Sequence, residues 1–506
     1  MSDAQIYDIA IVGGGINGCG IAADAAGRGL KVALAEKGDL AGATSSASSK
    51  LIHGGLRYLE YYEFRLVREA LGEREVLLRK APHLIWPLRF VLPHAEGLRP
   101  RWMLRAGLFM YDHLHARSKI PASSSIDLTQ DVSRAPLQSK FTKGFSYYDC
   151  WVDDARLVVA NAMHARVKGA DIWTNTEVVA TTQQDGIWRV ILKDPQVQRE
   201  IRARSLINAA GPWAERVDRL TSTPGFGNNI ATVRLVKGSH LVVPHVHGAN
   251  DAYILQSADK RVVFVLPFEE HFTIIGTTDV AYDGDPGNVT CTPEEETYLL
   301  DLVSTFFKTP LSTKDVVWRY SGVRPLYDDG SANASAVTRD YHLELANAPS
   351  SAPRLSIYGG KITTYRCLAE DALARLLPTL PNRAKSAWTA NETLPGGDIL
   401  NADFDSFFKK LQQQKSGFDT VHLRRLARRH GSLIADVLGD ARSLSDMGEH
   451  IGEGLTEREI QYMRSREWAT TPYDILWRRT KLGLHFIATK SDAERRAITD
   501  RIGALL

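Results

Sequence analysis

The chain has 506 residues, long enough for a large core and for more than one domain. Hydrophobic content of 44% and charged content of 24% are those of an ordinary globular protein, and a net charge of +3 is too mild to argue for a nucleic-acid partner. The four cysteines, Cys19, Cys150, Cys291 and Cys367, have neither disulfide-framework nor zinc spacing, so a reduced, cytosolic setting without a metal site is expected.

The N-terminal stretch carries no basic segment ahead of its short apolar run, which does not read as a signal peptide. No window approaches the ~20 apolar residues of a membrane span. Any membrane contact is therefore expected to be peripheral. Residues 6–12 read as one buried strand. Glycines at 13–15 break it, a small-residue helix follows, and residues 31–36 form a second strand, which opens a doubly wound α/β sheet. Residues 60–80 and 154–169 read as helices. Residues 171–208 read as strands with a turn at Asp185 and Gly186, and 231–280 as a separate antiparallel sheet. A strand at 354–358 runs into Gly359, Gly360 and a helix. LPGG at 394–397 reads as a linker, and 402–506 as helical.

Gly13, Gly15 and Gly18 form a GxGxxG between strand and helix. The first permits a tight turn, the second lets backbone approach a pyrophosphate, and the third lets helix pack on strand. The helix N-terminus offers unpaired N–H groups to phosphate. Glu36 ends the second strand, where an acid accepts ribose hydroxyls. Two downstream stretches favour FAD over NAD. The strand leading to Asn208, Ala209, Ala210 and Gly211 ends in a close-approach glycine, and Val178 sits where an adenine-contacting strand runs.

Ordered motifs then resemble the FAD-dependent glycerol-3-phosphate dehydrogenases, the bacterial aerobic, respiratory type most closely. They are TSSASSKLIHGGLRY (44–58), WVDDARL (151–157), IGTTD (275–279), YSGVRPL (320–326), GGKITTYR (359–366), LPGG (394–397) and RRTKLGL (478–484). The resemblance implies a Rossmann-like FAD domain of glycine-oxidase type with an antiparallel substrate-binding sheet and a C-terminal helical domain. It implies FAD segments at about 1–60, 150–215 and 354–390, interleaved with substrate or cap segments at about 61–149 and 216–353, and a helical unit at 391–506. It further implies oxidation of sn-glycerol 3-phosphate to dihydroxyacetone phosphate, electron transfer to a ubiquinone-type membrane quinone, and peripheral attachment to the cytoplasmic face of the inner membrane. No nucleic acid is expected, and the sequence leaves the oligomeric state open, a homodimer included.

Oxidising a secondary alcohol with a flavin needs hydride delivery, a proton acceptor and a grip on the phosphate. The expected cofactor residues are Gly13, Gly15, Asn17, Gly18, Glu36, Thr44, Ser45, Ser46, Ser49, Lys50, Leu51, His53, Val178, Ala210, Gly211, Gly360, Lys361 and Thr363. Arginine's planar fork suits phosphate. The resemblance turns Arg324 to the substrate and lines the same pocket with Arg57, Arg339 and Lys361, while Tyr58, Thr277 and Thr278 can bond substrate oxygens. His53 is the candidate base, because imidazole titrates near neutral pH, although a histidine that only hydrogen-bonds its surroundings fits the same loop. Arg324 is the second catalytic candidate, binding phosphate or stabilising alkoxide. Its pKa above ~12 makes it an unusual base.

Residues 98–119 interleave Arg99, Arg101, Arg105, Arg117 and Lys119 with Trp102, Met103, Phe109 and Met110. Such a segment suits an anionic lipid surface, or equally a buried helix with snorkelling arginines. Rival functions are an oxygen-reducing oxidase of the same substrate, an amine or 2-hydroxy-acid oxidase on the same fold, and a flavin-binding scaffold without turnover.

Overall fold

The computed structural model describes residues 5–95, 99–117, 119–222, 232–246, 250–257, 261–328, 340–349, 351–381 and 384–506. A six-stranded sheet organises the nucleotide-binding half. Its strands run in the order His342–Ala346, Arg354–Tyr358, Leu206–Asn208, Ile9–Val12, Val32–Ala35 and Asp171–Trp173. All neighbours are parallel except the antiparallel edge strand His342–Ala346. The central strands are apolar along their whole length, as strands covered on both faces must be.

Residues 6–12 are two strands rather than one. The Asp8 carboxylate accepts the Lys31 N–H at 2.9 Å, and this break sends Ile6–Tyr7 into a second, four-stranded sheet beside Gln198–Ala203. The Asp185–Gly186 turn is present, with both residues left-handed (φ 54° and 69°).

The helix Ile16–Gly27 is built from glycine and alanine because its neighbours come close. A side chain at Gly20 would meet the Tyr365 ring at 2.7 Å, and one at Gly27 the Trp388 ring at 2.0 Å. The helices Asp154–Val167 and Tyr365–Leu376 pack with it in one core that also holds Ile9, Ile11, Leu34 and Ile207.

The second half is a ten-stranded sheet containing Val233–Pro244, Phe272–Gly276, Val262–Phe268, Ala252–Gln256, Ile85–His94 and Lys143–Val152 in that order, with Trp318–Tyr327 also paired to Val233–Pro244. The strands within 231–280 pair antiparallel, as expected; the sheet becomes mixed where Ala252–Gln256 lies parallel to Ile85–His94. The helix expected from residue 60 begins at Phe64; residues Leu56–Tyr61 form a tighter 3₁₀ turn, flanked by left-handed Gly55 and Tyr62. Beyond residue 399 the described residues are helical apart from the short pair His450–Gly452 and Leu455–Thr456, around two apolar clusters of their own.

At Gly18 a Cβ would lie 1.9 Å from the Gly13 carbonyl oxygen. Gly18→Ala is therefore expected to push helix from strand, costing about 1–3 kcal/mol of stability. Denaturant unfolding checks this, and a wild-type midpoint would contradict it.

Candidate active site

The strand Ile9–Val12 delivers Gly13 in a left-handed conformation (φ 114°), where a side chain would strike the Ala209 carbonyl at 2.5 Å. The first helix opens at Gly15 without a side-chain cap. Its Ile16 N–H donates to Ser45 Oγ at 3.0 Å. Glu36 accepts from Gly14 N at 2.6 Å and Gly38 N at 2.9 Å. Burial pushes the Glu36 carboxyl up, and the two backbone bonds oppose that shift.

These groups line a cavity of about 930 Å³, together with Asn17, Thr44, Ser45, Ser49, Leu51, His53, Val178, Ala210, Gly211, Gly360, Lys361 and Thr363. The volume lies at the upper end of small-ligand sites, as an extended dinucleotide requires. Two successive left-handed glycines, Gly359 and Gly360 (φ 75° and 93°), bring backbone to the cavity edge. Asn17 Nδ2 donates to Gly359 O at 3.2 Å, and Asn17 Oδ1 is buried without a hydrogen-bond partner among the described residues. A helix N-terminus opened by a glycine, glycines that leave room for a ligand and an orphaned amide oxygen together fit a dinucleotide cofactor.

A smaller cavity of about 160 Å³ adjoins it, and His53, Tyr58 and Arg324 line both. The smaller wall adds Arg57, Arg99, Gln256, Arg261, Thr277 and Asp279. Arg324 comes from the strand Trp318–Tyr327 and donates from Nη1 to Asp279 Oδ1 (2.9 Å) and from Nη2 to Thr277 Oγ1 (3.2 Å). Arg57 donates to the Tyr61 hydroxyl at 3.4 Å and has no carboxylate partner among the described residues. Lys361 Nζ lies 3.9 Å over the Tyr58 ring. The His53 N–H of the main chain donates to Thr363 Oγ1, and its ring meets Phe264 edge-on. Burial lowers the His53 pKa; Asp149 opposes this, while Lys361 and Arg74 add to it. A neutral imidazole thus sits where the two chambers meet.

Residues 8–366 match the family described as FAD dependent oxidoreductase, and 387–500 that described as the C-terminal domain of alpha-glycerophosphate oxidase. The chain belongs to the FAD-dependent oxidoreductases. It is 51% identical to a glycerol-3-phosphate dehydrogenase of Pseudomonas tolaasii (98% of this chain, 96% of the relative) and 49% identical to the aerobic glycerol-3-phosphate dehydrogenase of Escherichia coli K12 (95% of each). It is also 48% identical to a D-erythritol 1-phosphate dehydrogenase of Brucella abortus (99% and 98%). The solved glycerol-3-phosphate dehydrogenase of Bacillus halodurans, complexed with FAD, superposes with a TM-score of 0.74 at 26% identity, covering 100% of this chain and 95% of that one.

The family's cofactor is FAD, and the larger cavity is the one that fits a dinucleotide; it is called the FAD chamber. Three of the expected cofactor residues, and the expected substrate residue Thr278, lie away from the walls of both cavities. Gly18 packs beneath Gly13. Ser46 turns its hydroxyl to the Ala43 carbonyl. Lys50 is buried in an ion pair with Asp154 (2.9 Å) and donates to Ser46 O, so its charge is spent on holding the serine loop. Thr278 is buried too, its hydroxyl donating to Glu295 at 2.7 Å and accepting from Ser239 N. The neighbouring Thr277 takes the place on the substrate-side wall. Arg339 lies outside the described residues.

The structure adds residues that motif reading missed. Arg99, from the basic segment that suits either a lipid surface or a buried helix, pairs with Glu60 at 2.5 Å and donates to Gln256, closing the small chamber. His240 lines the FAD chamber, accepts or donates at 2.9 Å with Ser49 Oγ, and stacks on Tyr320 (4.6 Å between ring centres). Nothing in its local sequence marks it, since its place is set by strand pairing with Phe272–Gly276 on one side and Trp318–Tyr327 on the other.

Burial also holds His83 and His240 well below the ordinary imidazole value and His164 at about 4. The unfolded chain takes up those protons from ~6.5 downward, while the folded chain does not. Stability is therefore expected to rise with pH across this interval and to be lost as pH falls from ~6.5 towards 4. Urea unfolding at stepped pH checks this; a flat profile between those values would contradict it.

Proposed function

We propose that this chain oxidises the secondary alcohol of sn-glycerol 3-phosphate to the ketone of dihydroxyacetone phosphate. The observation that carries the reading is the meeting of a large dinucleotide chamber with a small cation-walled one at His53, Tyr58 and Arg324. The relatives at about half identity support the substrate. Bound FAD supplies the hydride acceptor and passes the electrons on to a quinone.

The residues divide the work. Arg57 has no carboxylate to neutralise it among the described residues and takes the phosphate, aided by Lys361. Thr277 orients a substrate oxygen. The neutral His53 imidazole accepts the hydroxyl proton on a ring nitrogen, which its lowered pKa leaves open at pH 7. Arg324, oriented by Asp279, stays charged and stabilises the negative charge growing on the substrate oxygen. Along the chamber, the first turn of the helix, Ser45, Asn17 and Glu36 would hold the dinucleotide, and the main chain at Gly359 and Gly360 forms part of the same wall.

A second reading has a specific support: the D-erythritol 1-phosphate dehydrogenase is nearly as similar as the glycerol-3-phosphate enzymes. The test is anaerobic mixing of the yellow protein with each phosphate while following flavin absorbance, then kinetics with a soluble quinone. Bleaching and higher kcat/KM with glycerol 3-phosphate are expected. Faster turnover of erythritol 1-phosphate would sink the three-carbon assignment, and peroxide formation at the rate of oxidation would sink the quinone one. Arg57→Ala should retain flavin yet lose about 10- to 100-fold in kcat/KM, the worth of charge-assisted bonds to a phosphate. Unchanged kinetics would remove Arg57 from the site.

We also propose peripheral attachment to the cytoplasmic face of the inner membrane. No helix among the described residues is long and apolar enough to cross a membrane. The helix Arg101–His113 exposes Trp102 (74%), Phe109 (54%), Met103 and Met110, beside exposed Tyr61 and Tyr62. The apolar side chains enter the lipid surface and Arg101 meets anionic headgroups. Combined Trp102→Glu and Phe109→Glu should cut co-sedimentation with anionic vesicles by about tenfold or more while sparing turnover with a soluble quinone. Undiminished vesicle binding would exclude this helix.

A further inference from the structure

The motif RRTKLGL at 478–484 has no part in the chemistry above, yet its two arginines converge on the FAD chamber. Arg479 is fully buried and donates from Nη1 and Nη2 to the two carboxylate oxygens of Asp39, at 2.7 Å each. Arg478 adds Nε to the same carboxylate at 2.5 Å. Both guanidiniums are fixed from behind. Arg479 donates to the Glu467 carbonyl at 2.6 Å, and Arg478 donates to Asp474 at 2.5 Å across the π-type turn Asp474–Arg479.

Asp39 belongs to residues 36–45, which form one continuous side of the chamber. Glu36, Lys37, Gly38, Asp39, Ala41 and Gly42 all line it, and so does Arg478. Its main chain is tied to the nucleotide-binding sheet, where Gly38 O accepts from Asn175 N and Glu36 O from Thr176 N at 2.8 Å each, and Leu40 is buried in the core. The loop has no strand or helix between Ala35 and Thr44, and Ala41 is left-handed (φ 59°), bonded to the glycine turn by Ala41 N to Gly14 O at 3.1 Å. A second seam runs parallel to the first. Arg156 holds Glu467 with bonds of 2.5 and 2.9 Å, and Lys481 holds Asp153 at 3.0 Å. The adjacent Asp154 grips Ser48 and Lys50, which carry the serine loop. Residues 467–481 therefore hold both loops that enclose the dinucleotide.

A buried carboxylate between two guanidiniums is strongly position-dependent. With its partners in place the charges are satisfied; with one removed, an uncompensated charge is left in the interior. We infer that the segment 467–481 of the C-terminal helical region is a working part of the FAD site. Arg478 contributes to the chamber wall, and Arg479 positions the 36–45 loop through Asp39, so that FAD retention and docking of the C-terminal helices form one coupled equilibrium. Coupling of this kind is reciprocal: whatever the docked segment adds to FAD affinity, FAD returns to the docking. The inference rests on the cofactor alone and holds whichever polyol phosphate is oxidised.

The experiment uses the full chain without substrate. Deflavinated wild type and Asp39→Asn are titrated with FAD, and hydrogen exchange at 467–482 is followed in wild type with and without FAD. Asp39→Asn is expected to raise the FAD dissociation constant about tenfold or more, and FAD is expected to slow exchange at 467–482. An unchanged dissociation constant in folded Asp39→Asn, or exchange at 467–482 that ignores FAD, overturns the inference. Should Asp39→Asn not fold, Arg478→Gln carries the same comparison, because it leaves the Asp39–Arg479 pair in place. A several-fold loss of affinity is expected there, and unaltered affinity overturns the inference.

Discussion

The structure depends on how closely one helix can approach one strand. The Gly13 carbonyl lies where a Gly18 side chain would be, and the Ala209 carbonyl lies where a Gly13 side chain would be. That contact sets the first helix directly beyond the end of the central strand, so its N-terminal residues Gly15, Ile16 and Asn17 line the FAD chamber. It also brings the strand Leu206–Asn208 alongside, and with it Ala210 and Gly211. Glu36 reaches the same place because its strand is the next neighbour in the parallel sheet.

The substrate side follows a different constraint, the management of positive charge in a confined space. Four arginines line the small chamber, and their neighbours treat them unequally. Arg99 is committed to Glu60 and Arg324 to Asp279, whereas Arg57 keeps its charge without a carboxylate among the described residues. The proposed roles rest on this inequality: paired arginines would shape and orient, and the one without a carboxylate would attract an anion. His53 stands between the chambers in an environment that favours its neutral form, with burial as the main cause.

Much of this was legible in the chain. The GxGxxG, the acid at Glu36, the doubled glycines before Lys361 and the clustered motifs each mark local backbone requirements that a sequence displays directly. The split at Asp8, the parallel pair within the larger sheet and the strands Ile85–His94 and Lys143–Val152 were not legible. They depend on partners distant in the chain rather than on local periodicity. Lys50 and Thr278 illustrate the same limit at the site. Both stand inside motifs, but the fold directs Lys50 to Asp154 and Thr278 to Glu295.

The sequence by itself determined that a dinucleotide cofactor belongs to this chain, where the glycine turn stands, and which short segments carry polar chemistry, because glycine turns and helix starts are local devices. Only the tertiary structure decided which of those polar groups face the two chambers, that His240 and Arg478 join them, and that a segment more than four hundred residues away in the chain pairs with Asp39 in the 36–45 loop. Charge pairing and burial are properties of neighbours in space, and no spacing along the chain encodes them.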